Sequence, residues 1–228
     1  MSNKLVLLLF LSFTGVSNAL GQTALEKAMK RINVSLNIPS AFSVTQNKEL
    51  IFVTQDSIFP TIKQVYNFEP SYGSTAFKVI FGTIHSIFTH KDGVCLVFVF
   101  VSPGKGGSDF GNAGLNALNN LNFGRIKHDF RYGKPMDSAS ESESVELNSM
   151  LTHYPKEQAQ KMFNANVMVM YPLNLRGNVY KDKYTRSRAV VVNKDGLEFY
   201  LYFMMTDSSV NNFDNYLNDL SKAFWFKD

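Results

Sequence analysis

The 228 residues contain a single cysteine, Cys95, so the chain can form no internal disulfide and its fold must be held by a core. After the first two dozen residues no apolar run approaches the ~20 residues that a membrane-spanning helix needs. Basic tracts are missing too. The 23 Lys and Arg exceed the 19 Asp and Glu only enough for a formal charge of +4, which argues against nucleic acid as a partner. The four histidines, His85, His90, His128 and His153, show neither His-x-His nor His-Glu-x-x-His spacing. His85 and His90 would point to opposite faces of one strand, so no shared metal is expected. No Gly-x-Ser-x-Gly elbow occurs, and Cys95 has no neighbouring base. In Pro103-Gly104-Lys105-Gly106-Gly107-Ser108 the lysine precedes the glycine pair, whereas a phosphate loop needs Gly-Lys-Ser/Thr after a four-residue gap. A structural loop or a ligand lid is expected there. No catalytic residue, metal or cofactor follows from the sequence, although a site assembled from distant segments stays open.

What is present begins with an address. Lys4 supplies a positive start, Leu5 to Phe13 an apolar run, and Ser17-Asn18-Ala19 a small-x-small site. Together they predict a signal peptide over 1–19, cut after Ala19 or alternatively after Gly21. The expected location is therefore outside the cytoplasm, periplasmic or extracellular. Residues 20–228 are read as a single domain, of a size that buries about 70% of its unfolded surface. With 45% apolar, 18% charged and 14% aromatic residues, this composition is globular, neither disordered nor fibrous.

The chain is organised around Gly93 to Pro103. Val94 to Val101 is an unbroken apolar run, mostly β-branched or aromatic, bounded by Gly93 and Pro103. That predicts a central strand covered on both faces. Ile32 to Ile38 alternates as a half-buried strand, and Phe42 to Thr45 and Leu50 to Thr54 are two more. Phe77 to Thr89 is expected to meet the central strand through Asp92-Gly93, and Val179 to Val192 to meet Leu197 to Thr206 through Asp195-Gly196. A duplication or a common turn recurring by chance would both explain the two Lys-Asp-Gly sequences. Helices are predicted over 24–31, 113–121, 156–163 after Pro155, and 209–223. Phe123 to Tyr132 reads as a strand, Ser57 to Tyr72 as irregular, and the Ser/Glu-rich 137–146 as a solvated loop. Phe213, Tyr216, Leu217, Leu220 and Phe224 should dock on the sheet, and Trp225 should be shielded with them. Strand runs with helices between and after them predict an α+β fold, a mainly antiparallel sheet with helices packed on it.

Ile38-Pro39-Ser40-Ala41-Phe42 after an early strand, and a hairpin leading through a helix to Phe224-Trp225-Phe226, resemble the Mog1/PsbP-like α/β domains. The Gly-rich and Ser/Glu-rich segments depart from that pattern. The signal peptide and the lack of disulfides are similar to secreted proteins of Gram-negative bacteria, Bacteroidetes among them. The resemblance implies the fold and an accessory or binding role.

The one basic concentration is Arg176, Lys181, Lys183, Arg186 and Arg188, interleaved with Tyr180 and Tyr184. It would suit an acidic glycan, a lipid headgroup or an acidic partner protein. The alternative is an edge strand blunted by charge. Tyr200 and Tyr202 share a strand face with Glu198, as core rim or as a sugar-stacking platform. These features favour a non-enzymatic binding or accessory protein of the bacterial envelope. The rivals are a secreted hydrolase with a scattered site and a structural subunit of an envelope complex.

Overall fold

The computed structural model describes residues 25–45, 84–102, 121–130, 139–172 and 184–228. The expected signal peptide and the strand expected over 50–54 lie outside them, as do 57–72, 77–83, the glycine-rich segment, 113–120 and 179–183.

Two Asp-Gly turns make the hairpins from which the sheet is built, and they do so differently. Between β7 (Arg186–Lys194) and β8 (Leu197–Met205) only Asp195 and Gly196 remain. Both have positive φ, 56° and 83°, the twisted two-residue turn that suits right-twisted strands. Between β3 (Ile84–His90) and β4 (Cys95–Val101) the connection is longer. Only Gly93 is left-handed there, at φ 68°, and its N–H donates to the His90 carbonyl at 2.9 Å. A Cβ at Gly93 would meet nothing within 4 Å, so backbone conformation and not space calls for glycine.

The hairpins lie back to back, β4 pairing with β8 along its whole length from Cys95↔Met205 to Val101↔Phe199. Outside them β2 (Phe42–Thr45) joins β3, while β6 (Val167–Pro172) and β5 (Thr152–His153) extend the other side. The seven-stranded sheet has the order β2-β3-β4-β8-β7-β6-β5, and every neighbouring pair is antiparallel. β4 is thus an interior strand, buried on both faces, beside the central β8. With helices packed on this sheet the chain is an α+β protein.

One face is apolar. Val97, Val99, Val190, Leu201 and Phe203 on the sheet meet Leu25 and Met29 of helix α1 (residues 25–31), Phe163 of α4 (Lys156–Phe163) and Leu217 and Leu220 of α5 (Phe213–Ser221). A second sheet of two antiparallel strands, β1 (Val34–Leu36) and β9 (Phe224–Phe226), closes this core. It contributes Val34, Phe224 and Phe226. Helix α4 ends on a left-handed Asn164 (φ 53°), whose side-chain amide donates to the Phe226 carbonyl at 2.7 Å.

Several expectations are corrected. Residues 123–130 are helix α2 (Phe123–Phe130), not a strand. Asn122 Oδ1 accepts the Arg125 N–H at 3.0 Å at its start, the bond expected of an N-cap residue. The Ser/Glu-rich segment is not all loop, for α3 covers Glu141–Ser149. Ser140 and Glu143 there form a reciprocal capping box, which satisfies two otherwise unpaired N–H groups. The strand foreseen over 32–38 shrinks to Val34–Leu36 because Asn33 takes φ 58°. The closing helix is shorter than 209–223: a 3-10 turn over Asp207–Asn212 precedes α5. Phe224 belongs to β9, so a period of two replaces the helical one. Phe224 and Phe226 turn inward and Trp225 outward, 45% exposed.

Candidate functional site

On the other face of the sheet the side chains alternate with those of the apolar core, and many are polar. Glu198, Tyr200 and Tyr202 of β8, Asn193 of β7 and Tyr171 of β6 share it by register. Helix α2 brings Arg125 and Asp129 against them, four residues apart and so on one helix face. Arg125 Nε lies 3.3 Å from Asp129 Oδ1 and donates to Tyr202 Oη at 3.0 Å. Tyr171 and Tyr202 donate in turn to Asp129 Oδ2, at 2.6 and 2.9 Å. The guanidinium carbon stands 4.6 Å from the Phe100 ring centroid, within cation–π range. Burial opposes the Arg125 charge, but the surrounding oxygens of Tyr202, Asp129, Tyr171 and Tyr200 outweigh it and hold the group protonated.

Glu198 anchors a second group next to the first. Tyr200 Oη donates to its Oε1 at 2.7 Å. Its Oε2 accepts from Asn193 Nδ2 at 3.3 Å and from the Asn122 N–H at 3.4 Å. The carboxyl therefore ties the β7–β8 hairpin to the start of α2. Burial pushes its pKa up to about 7, against the opposing pull of Tyr200, Asn193, Asn122 and Arg125. The phenols of Tyr171, Tyr200 and Tyr202 are raised well above their ordinary value, first by burial. The Tyr200 and Tyr202 rings stack at 6.0 Å. Both are buried, beneath the surface that a rim or an open sugar platform would require. α3 lies beside this layer through Lys127 Nζ, 3.0 Å from Glu143 Oε2.

The basic concentration is divided by the fold. Arg176, Tyr180, Lys181 and Lys183 lie outside the described residues. Tyr184 is buried, and its hydroxyl donates to the Gly93 carbonyl at 3.1 Å, bracing the other hairpin's turn. Arg186 pairs with Asp207 at 2.7 Å on the surface. Arg188 lies over the Phe213 ring at 4.6 Å, on the α5 side of the sheet. Arg186 and Arg188 stand on β7, an interior strand between β8 and β6 and not an edge strand.

Among the histidines, His153 is exposed. His90 Nδ1 lies 2.9 Å from Asp92 Oδ1, and its ring is flanked edge-on by Phe42 and Tyr216. Asp92 also accepts the Val94 N–H at 2.9 Å and the Tyr216 hydroxyl at 2.9 Å. Burial pushes this carboxyl up, but those hydrogen bonds together win and hold it below the usual range. Burial and Asp92 push Tyr216 up to about 12. The cluster clamps the β3–β4 turn to α5. Cys95 is buried and its thiol is pushed up, first by burial and then by Asp92, which makes it a poor nucleophile. Among the described residues no group of three or more His, Cys, Asp or Glu side chains could hold a metal ion.

Arg125, Tyr171 and Asn193 carry no chemical motif in the sequence. The signals for them were the i, i+4 spacing of Arg125 and Asp129 and the placement of Asn193 across a two-residue turn from Glu198. Fold and site together define an α+β protein with one apolar and one hydrogen-bonded sheet face. Comparison with known proteins goes no further: no family model, curated protein or solved structure matches the chain.

Proposed function

We propose that this is an exported, non-enzymatic binding or accessory protein of the bacterial cell envelope, periplasmic or extracellular. The observation that carries this reading is the commitment of the buried charges to one another. Arg125 is held by Asp129 and Tyr202, and Asp129 by two phenols as well. Groups so engaged order a fold, whereas a catalytic acid or base keeps an open side toward its substrate. The signal sequence and the resemblance to Mog1/PsbP-like domains point the same way. The test is the melting temperature of the mature protein with envelope glycans and with anionic lipid vesicles, beside assays for ester and glycoside hydrolysis. A saturable upward shift without turnover is expected. Turnover abolished by Glu198→Gln would overturn the reading.

One observation favours the hydrolase as second reading. Glu198 is a buried carboxyl whose pKa of about 7 matches that of a general acid or base working near neutrality. Its three protein donors weigh against that role.

A further inference from the structure

We propose that the outward face of the β1–β9 ribbon is a saccharide-binding surface with Trp225 as its stacking platform. The proposal rests on the binding reading above and gives it a ligand class. The chain has 20 Phe, 10 Tyr and one Trp, and the large aromatic residues around the ribbon are withdrawn from water. Phe224 and Phe226, on either side of Trp225, are 0% and 1% exposed, while Trp225 is 45% exposed. Its ring stands on a regular strand pair, with position set by Ser35↔Trp225 pairing and by the Lys227 N–H donating to the Asn33 carbonyl at 2.8 Å.

The neighbours on this face are polar and mostly uncharged. Ser35 pairs directly with Trp225 on the side opposite Val34 and Leu36, and the exposed Asn33, Asn37 and Lys227 flank the two strands at their ends. Asn33 is held in place, its amide donating to the Lys227 carbonyl at 3.2 Å. The Ser35 hydroxyl donates to the Trp225 carbonyl at 3.1 Å and keeps lone pairs to accept. Asn37 is exposed and offers a planar amide with two donors and an acceptor. A flat indole beside amides and a hydroxyl complements a sugar ring, whose C–H face can stack while its rim hydroxyls hydrogen-bond. A bilayer would require several apolar side chains on one surface. The other exposed large apolar side chains among the described residues, Val145 and Met150, lie at α3, beside the helix covering the opposite sheet face.

Because Trp225 is the only tryptophan, its fluorescence reports this site alone. Chitotetraose and maltotetraose are titrated into the mature protein, and phosphatidylglycerol vesicles separately, with emission, acrylamide quenching and melting temperature read together. At least one oligosaccharide should change the emission saturably and reduce acrylamide quenching at least twofold. Trp225→Ala should melt near the wild-type temperature and lose the ligand-induced shift. No emission response to either oligosaccharide overturns the proposal, and so does a response to vesicles only. A melting shift that survives in Trp225→Ala overturns the site but leaves the binding reading standing. Should Trp225→Ala fail to fold, protection from acrylamide in the wild-type protein decides alone.

Discussion

The two faces of the large sheet are made by the same strands and held by different physics. On one, Leu201 and Phe203 of β8 pack against α1, α4 and α5, with Arg188 joining only by laying its guanidinium over Phe213. On the other, Tyr200 and Tyr202 of the same strand reach Glu198 and Asp129 by hydrogen bonds of 2.7 and 2.9 Å. An apolar face tolerates loss by degrees, as the cavity left behind is partly filled. A buried polar face is less forgiving, for each group is satisfied only while its partner is present.

The largest effect expected from one substitution is at Arg125. Arg125→Ala leaves Asp129 charged in the interior and should cost about 3–5 kcal/mol. Adding Asp129→Asn should restore much of it, and strictly additive losses in denaturant titrations would break the comparison. On the apolar face Leu220→Ala should cost about 2–5 kcal/mol as a cavity, with little dependence on pH. That contrast is measurable by melting both variants across a pH series.

Glu198 sharpens the contrast further. Its folded-state pKa is raised from 4.5 to about 7, so folding favours the protonated carboxyl. The stability it adds is complete below pH 4.5 and lost as pH rises through 7, a change on the order of 3 kcal/mol. Glu198→Gln should flatten that profile and raise stability above pH 7. An unchanged slope in the variant would show that the carboxyl does not titrate there. The smallest effect is expected for Tyr171→Phe. It removes one donor to Asp129 and leaves Tyr202 in place, at about 1.5–3 kcal/mol for a bond to a charged group.

The same division explains what could be read from the sequence. Apolar runs and Asp-Gly pairs mark β3, β4, β7 and β8 because hairpins and core strands are local in their causes. The stripe Phe213, Leu217 and Leu220 marks α5 for the same reason. α2 escaped, since Phe-Gly-Arg-Ile-Lys-His-Asp-Phe mixes both periods and its polar face is satisfied only by Tyr171 and Tyr202 of distant strands. α3 carried its own signal, Ser140 three residues before Glu143, under a composition that otherwise reads as solvated loop. Trp225 was misplaced because the helical stripe ends one turn before it. The polar layer joins β6, β7, β8 and α2 across the chain, and no window of local sequence holds those pairs together.

The β1–β9 ribbon has a consequence in time. Val34 pairs with Phe226, so a contact that closes the apolar core spans nearly the whole described chain. A nascent polypeptide that has reached Lys222 holds every described strand of the large sheet, yet β1 still lacks its mate. Until residues 224–226 emerge, Val34 and the surface that Phe224 and Phe226 cover stay open to water. Such distant pairing raises contact order and slows folding. Completion of this core thus waits for residues 224–226 to be made and paired, and until then the exposed apolar surface is prone to association.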